Sequence, residues 1–464
     1  MDPNRKKKIV IIGGGFAGLH AALHLRRTDT QVTLIDRHNH HLFQPLLYQV
    51  ATGVLASANI ASPLRTIFKR AKNIDVLMGE VVGFDLNDKR VFLSDGEIDF
   101  DMLVVAAGAE NFYFGNPDWA KRSLALKSLE EAAAMRRRIF LAFEKAERYA
   151  HARGSHDHAE IDALMTFVVI GGGPTGVELA GAVNEIAKNT LTTDFRAIHP
   201  REARVVLLQG CDSLCPMFIH KNLSKAIERT LTKRGVTVML DTKAVEITDE
   251  HVVIERDGQQ ETIPTRTVLW AAGVKASPLA RRLAEASDAK LDHSGRIQVE
   301  PDLTLAGQED VFVIGDMASC PDEEGHPLPG VAPVAIQQGE YVARSIRERI
   351  DAEIFDRDRR IKPFRFSDRG AMATIGRFKA VAELGWLRLT GFSAWLMWLF
   401  VHLMYLVMFQ NRILVLVRWA GNFVTWNRSA RLITGENPLP FFPENKDEMV
   451  ELPEEKPELQ EIST

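Results

Sequence analysis

The chain reads as an α/β protein in which two doubly wound parallel-sheet units precede a C-terminal helical region of different character. Three observations predict this. A strand–glycine-turn–helix pattern opens the chain at Lys8–Gly18, and it returns at Thr166–Glu178. Far downstream, Phe392–Phe409 is an apolar run of 18 residues interrupted only by Ser393 and His402. A length of 464 residues accommodates two or three such units, and 46% hydrophobic with 25% charged residues is ordinary for a globular chain.

Ile9–Ile12 has the continuous apolar character of a strand covered on both faces. After it, Gly13 permits a tight turn, Gly15 lets a pyrophosphate approach the backbone, and Gly18 lets the helix pack closely on the strand. The helix N-terminus adds free N–H groups and a favourable dipole for phosphates. Val32–Ile35 is the next strand, and Asp36, 18 residues after Gly18, stands where a ribose-binding carboxylate belongs. Together these define a Rossmann-type dinucleotide site rather than a surface glycine loop. The next stretch carries His38, His40 and His41, which lack metal-ligand spacing and read as a polar loop beside the cofactor. Val76–Leu93 reads as short strands with turns, and Phe100–Ala106 as an apolar strand closed by Ala107-Gly108-Ala109. Ser128–Ala152 is a charged helix, and His151–Asp162, with His156 and His158, a polar linker.

The pattern repeats about 158 residues on, with Gly171, Gly173 and Gly176 in the three glycine places. Arg204–Leu208 is the following strand, and it ends in Gln209 instead of an acid. The intervening segment 184–203 is longer than a βαβ crossover requires. Two cradles imply a division of labour between a resident flavin and a nicotinamide nucleotide. Val268–Val274, containing Gly273, echoes Leu103–Ala109, containing Gly108, so each closes its own unit. Val311–Ile314 leads into Gly315-Asp316, an acid at a strand's C-terminal end, where open α/β sheets bind ligands.

Trp386, Trp395, Trp398, Trp419 and Trp426 cluster in and around the apolar run. Eighteen residues is at the lower end for crossing a bilayer. A single crossing would also place Arg412, Arg418, Arg428 and Arg431 outside, against the positive-inside tendency. A helical hairpin or shallow helix pair on the membrane surface avoids this; a spanning hairpin and a soluble core helix are the alternatives. His402 reads as a polar contact within this region. The end of the chain is Pro- and Glu-rich and predicts a disordered acidic tail.

A net charge of −4 gives no support for a nucleic-acid partner. Three cysteines exclude a disulfide framework and fit a reducing compartment. Met1–Lys8 lacks the apolar segment of a secretory signal, which places the catalytic part in the cytoplasm. Two nucleotide folds without a metal cluster suit hydride transfer. Disulfide reductases of this architecture carry a cysteine pair after the first acidic strand, and Phe43–Ile60 has none. Cys211 and Cys215 lie beside the second nucleotide strand and read as ordinary thiols; Cys320 stands alone. A lipid-soluble electron acceptor follows. The competing readings are a reductase of a soluble acceptor, such as a ferredoxin or rubredoxin reductase, and a redox-sensing flavoprotein that acts through nucleotide-dependent partner binding. A sulfide:quinone oxidoreductase would need catalytic cysteines at the flavin.

The two cradles, His40-His41-Leu42-Phe43-Gln44-Pro45-Leu46-Leu47-Tyr48-Gln49-Val50-Ala51, Gly315-Asp316 and Ala335-Ile336-Gln337-Gln338-Gly339-Glu340 resemble the type II NADH:quinone oxidoreductases. The resemblance runs from about Lys8 to Glu436. It implies non-covalent FAD in a first domain of residues 1–125 and 300–345, and NADH in a second domain of residues 126–299. It further implies a membrane-association region at 346–435 before the tail at 436–464. The implied reaction is non-proton-pumping, two-electron reduction of a membrane quinone by a homodimer on the cytoplasmic face of the inner membrane. By the same resemblance Asp36 binds the adenosine ribose of FAD, Asp316 its ribityl-phosphate portion, and Pro45 lies near the isoalloxazine. Glu178 stands at the nicotinamide–flavin contact, where a carboxylate orients the carboxamide or delivers a proton to the quinone. Gln337 hydrogen-bonds a quinone carbonyl, and Lys379 holds the charge of the reduced flavin.

Two positions depart from the family pattern. Pro333 replaces the first glutamine of the Ala-Gln-x-Ala-x-Gln motif, leaving Gln337 to carry the quinone contact. Gln209 removes the acid that repels a 2′-phosphate, so NADH is the expected donor with weak discrimination against NADPH.

Overall fold

The computed structural model describes residues 5–153, 158–355, 362–425 and 430–434. His156, Trp426, Arg428 and the acidic tail at 436–464 lie outside the described residues.

The first sheet contains β1 (Lys7–Ile12), β2 (Thr30–Asp36), β3 (Ile74–Met78) and β4 (Met102–Val105), with two strands returning at Thr304–Leu305 and Gln308–Val313. β1 pairs in parallel with β2 and β4, and β3 extends the sheet beyond β2. Gln308–Val313 joins β4 in parallel from some 200 residues downstream. Ile9 and Ile11 enter one core and Val10 and Ile12 the other, so β1 must be apolar at every position. One face is covered by α1 (Phe16–Leu25).

The long helix α2 (Leu129–Arg153) leads to the second sheet, formed by β5 (Thr166–Ile170), β6 (Arg204–Leu208), β7 (Val236–Met239) and β8 (Thr267–Trp270). All its neighbours are parallel, in the order β7-β6-β5-β8. α3 (Pro174–Glu185) follows β5 as α1 follows β1. Phe167 and Val169 face one core while Val168 and Ile170 face another, the same solution as in β1.

α4 (Ala332–Phe355) returns to pack on α1 and runs unbroken through residue 345. Gly339 permits the close approach, because a Cβ there would collide with the Ala17 carbonyl. Beyond it, β9 (Ala371–Gly376), β10 (Lys379–Leu384) and β11 (Leu387–Gly391) form an antiparallel sheet.

The apolar run is two helices, α5 (Phe392–Tyr405) and α6 (Phe409–Thr425), separated where Leu406 becomes extended. Among the described residues no helix is long and apolar enough to cross a membrane. Trp395, Trp398 and Trp419 point inward and join the largest core. Phe392, Leu396, Phe400 and Met404 recur at intervals of four on α5, and all are exposed. Phe409, Ile413 and Val417 repeat the pattern on α6. The face turned away from the core is therefore apolar, the reverse of a water-facing helix.

Paired glycine cradles and a buried carboxylate

Both cradles divide the work among their glycines in the same way. Gly13 and Gly171 adopt φ of +101° and +108° where a side chain would strike the backbone of Ala106 or Ala271. A Cβ at Gly18 or Gly176 would collide with the Gly13 or Gly171 carbonyl, which fixes helix against strand. At Gly15 and Gly173 a Cβ meets only open space, the room a pyrophosphate requires. Gly108 and Gly273 follow β4 and β8, and both have left-handed φ.

Asp36 Oδ2 accepts the Gly14 N–H at 2.6 Å, and Oδ1 accepts the His38 N–H at 2.7 Å. In the second cradle Gln209 Oε1 accepts the Gly172 N–H at 2.8 Å. Its amide N–H group donates to the Ser213 carbonyl at 3.1 Å. Asp316 follows Gly315, whose N–H is held by Gln338 Oε1 at 2.7 Å. Pro45 lies in a short helical turn, Gln44–Leu46, and the Gln44 side chain donates to the Lys127 carbonyl.

The histidine stretch is not wholly the polar loop expected from its composition. His41 is 1% exposed, and its Nδ1–H donates to the Gly14 carbonyl at 2.9 Å. Phe16 packs edge-on against the ring. Burial pushes the imidazole down to about 4, so it is neutral. Its Nε2 is buried without a hydrogen-bond partner, an orphan directly behind the phosphate loop.

Glu178 sits in the second turn of α3 and is buried. Desolvation raises its carboxyl to about 8. The Thr374 N–H approaches Oε1 at 3.4 Å, and the Trp398 indole N–H faces it without completing a hydrogen bond. A cavity joins Glu178 to Tyr48, Gln49, Arg377, Trp395 and Phe423. Its walls are fixed. Trp419 donates to Gln49 Oε1 at 2.7 Å, and Glu185 takes both the Arg234 guanidinium and the Arg377 N–H. His402 stacks on Trp398 and donates from Nδ1 to the Trp398 carbonyl at 2.7 Å. It is the polar contact expected of it.

Two residues assigned by resemblance stand apart from this cavity. Both ends of the Gln337 amide are occupied by the Ser367 backbone, at 2.9 Å each. Lys379 is exposed at the start of β10, on the turn with Gly376. The largely buried lysine near Asp316 is instead Lys127, which both Asp316 and Glu131 influence electrostatically. Two signals in the sequence pointed to residues not singled out there. Gln338 falls on the apolar stripe of Val334, Val342 and Ile346, and is 1% exposed. Ser128-x-x-Glu131 is a capping box at the start of α2, with Glu131 Oε2 also accepting the Lys127 N–H.

Two dinucleotide cradles on one chain, with an ionisable group buried between the second cradle and an aromatic cavity, define a pyridine-nucleotide-linked oxidoreductase. Residues 7–339 match the pyridine nucleotide-disulphide oxidoreductase family, and residues 369–425 match the NDH2 C-terminal domain. The type II NADH:quinone oxidoreductase Ndh of Mycobacterium tuberculosis is 42% identical over 94% of this chain and 92% of its own length. The NdhA enzyme of the same organism is 43% identical over 93% and 90%. The NDH2 structure from Plasmodium falciparum in complex with NADH has a TM-score of 0.82 at 18% identity, covering 93% of this chain and 100% of that one. The chain belongs to the type II NADH:quinone oxidoreductases. It transfers electrons from NADH to a quinone through a flavin.

Proposed function

We propose that the flavin is FAD, held non-covalently by the first cradle, and that the quinone reaches it from a membrane surface. The observation that carries this reading is the cavity running from buried Glu178 to the tryptophans beneath α5 and α6. FAD supplies hydride acceptance and two-electron transfer when bound. Gly13, Gly15 and Gly18 would admit its pyrophosphate, Asp36 would bind the adenosine ribose, and Asp316 would bind the ribityl portion. The open space at Gly15 and the orphaned His41 Nε2 fit such a group. Gly171, Gly173 and Gly176 receive NADH, with Gln209 at the ribose and Gly108 and Gly273 lining the facing strand ends.

Glu178 is protonated at neutral pH because burial raises it to about 8. It therefore holds a proton for a quinone oxygen, or donates a hydrogen bond to a carboxamide. Gln337 keeps the supporting role that the family resemblance assigns, through the amide proton that Ser367 leaves over. The resemblance gives the charge beside the reduced flavin to Lys379, but the partly buried Lys127 near Asp316 is better placed for it.

The exposed apolar faces of α5 and α6 support docking on the bilayer surface, as shallow helices with their aromatic residues among the acyl chains. The family resemblance supports a homodimer on the cytoplasmic face of the inner membrane. The test is anaerobic. NADH should bleach the flavin of the purified protein, and a short-chain quinone should restore it. Mass analysis of the released flavin should give FAD. A flavin that bleaches but is not reoxidised by quinone would overturn the acceptor, and release of FMN would overturn the cofactor.

A further inference from the structure

A second group of ligating side chains lies outside both cradles. His20 and His24 are one turn apart on α1, so both rings project from one face of the helix. Glu340 reaches them from α4. The ligating nitrogen and oxygen atoms of the three residues all lie within 4.8 Å of one another. His20 Nδ1 and Glu340 Oε1 are 3.6 Å apart, too far for a hydrogen bond. His20 Nδ1 is nevertheless buried and has no hydrogen-bond partner. Such a nitrogen costs about 1–3 kcal/mol unless something satisfies it.

The tautomers suit a metal. His24 Nδ1–H donates to the His20 carbonyl at 2.9 Å, which leaves Nε2 as the lone-pair nitrogen. Two histidines at i, i+4 with one carboxylate form a three-residue donor set that leaves a fourth position for water. Calcium and magnesium prefer all-oxygen shells, so the imidazoles select against them.

We infer that His20, His24 and Glu340 bind a divalent transition-metal ion, Zn²⁺ in the first place, which clasps α1 to α4. The two helices joined are those that shape the flavin unit. α1 begins at the phosphate-binding turn, and α4 carries Gln338, which holds Gly315 beside Asp316. The ion is structural on this reading. It stabilises the folded flavin unit without touching the reaction.

The test uses untagged, flavin-loaded, full-length protein freed of metal with a chelator. Calorimetric titration with Zn²⁺ should show one site, Co²⁺ should give the intense visible bands of four-coordinate cobalt, and Zn²⁺ should raise Tm. His24→Gln and Glu340→Gln should each weaken Zn²⁺ binding at least about tenfold and abolish the Tm rise. His24 is exposed, so its variant keeps the fold and, metal-free, the NADH:quinone turnover of the parent. Equal Zn²⁺ affinity and stoichiometry in parent and variants, or no binding by the parent, would overturn the site.

Discussion

Gln209 accepts the Gly172 N–H at 2.8 Å, as Asp36 accepts the Gly14 N–H at 2.6 Å in the other cradle. The amide thus replaces the acid's structural contact, closing the glycine turn onto the next strand. It cannot replace the acid's charge. A carboxylate repels a 2′-phosphate, whereas an amide does not. Preference for NADH over NADPH in kcat/KM should therefore stay below about a thousandfold, roughly 4 kcal/mol on the transition-state scale. Gln209→Glu should widen it mainly by raising KM for NADPH. A larger preference in the parent enzyme would mean that another group rejects the phosphate.

The raised Glu178 carboxyl predicts a pH signature in stability as well as in rate. The folded state keeps the proton up to about 8, while an unfolded glutamate releases it near its ordinary value. Between these limits the native state binds more protons, so this group's contribution falls as pH rises, by a total on the order of a few kcal/mol. Glu178→Gln, isosteric and uncharged, should remove that slope and be the more stable protein above about pH 8. Its quinone half-reaction should slow by about a hundredfold if the proton matters, with flavin reduction by NADH little changed. Slowing of the NADH step alone would assign Glu178 to the carboxamide instead.

His41 has the opposite sign. Its folded value is depressed to about 4, so an unfolded histidine takes up a proton first as the solution is acidified. Stability from this group is complete above about 6.5 and is lost as pH falls toward 4. His402 is depressed to about 4 for the same reason and adds to the loss. Flavin release and unfolding should begin together below about pH 6. In His41→Asn, which keeps a polar group near the Gly14 carbonyl but removes the titrating ring and empties the space beside Phe16, flavin should be held more weakly at neutral pH and its release should depend less on acid than in the parent. Unchanged flavin retention across the acid range would show that His41 does not support the loop.

Much of this was legible in the chain because it rests on local patterns. The apolar strands, the glycine turns and the acid at Asp36 each announce themselves within a few residues. The Cβ collisions at Gly13 and Gly18 are the geometry their spacing implies. The burial of His41 was not legible. Nothing in a run of histidines says which ring turns inward, and its partner carbonyl is 27 residues away. Likewise the break at Leu406 lies inside the apolar run, where composition gives no stop signal, and it shows only once Trp398, Leu406 and Trp419 are seen packed in one core. The clamp of Gln337 on Ser367 depends on an irregular segment 30 residues downstream.

That packing also decides how membrane docking must be tested. Removing the whole segment from Trp386 to Arg431 would strip Trp398 and Trp419, each 2% exposed, from the largest core, and the remainder would lose its fold along with its membrane. Phe400 and Phe409 are 61% and 73% exposed, and contribute nothing to that core. Phe400→Ser combined with Phe409→Ser should keep Tm within a few degrees and weaken flotation with phospholipid vesicles. Each aromatic withdrawn from lipid costs about 2 kcal/mol of binding, a fall of more than tenfold per residue. Turnover with a short-chain soluble quinone should persist. Undiminished flotation of the double variant would place the docking surface elsewhere.

The last prediction separates two lysines. The family resemblance assigns the charge beside the reduced flavin to Lys379, yet that side chain is exposed on a turn. Lys127 is largely enclosed, in the electrostatic reach of Asp316 and next to the segment that Gln44 ties down. Burial lowers its ammonium, and the carboxylates of Asp316 and Glu131 act to keep it charged. A cation in low-dielectric surroundings stabilises nearby negative charge far more than one in water. Lys127→Met should therefore shift the flavin midpoint potential to more negative values and slow reduction by NADH, while leaving the flavin bound. Lys379→Met should leave the potential within a few millivolts of the parent, since solvent already screens that site. Spectroelectrochemical titration of the three proteins decides the matter. A shift in the Lys379 variant with none in the Lys127 variant would return the role to the exposed lysine.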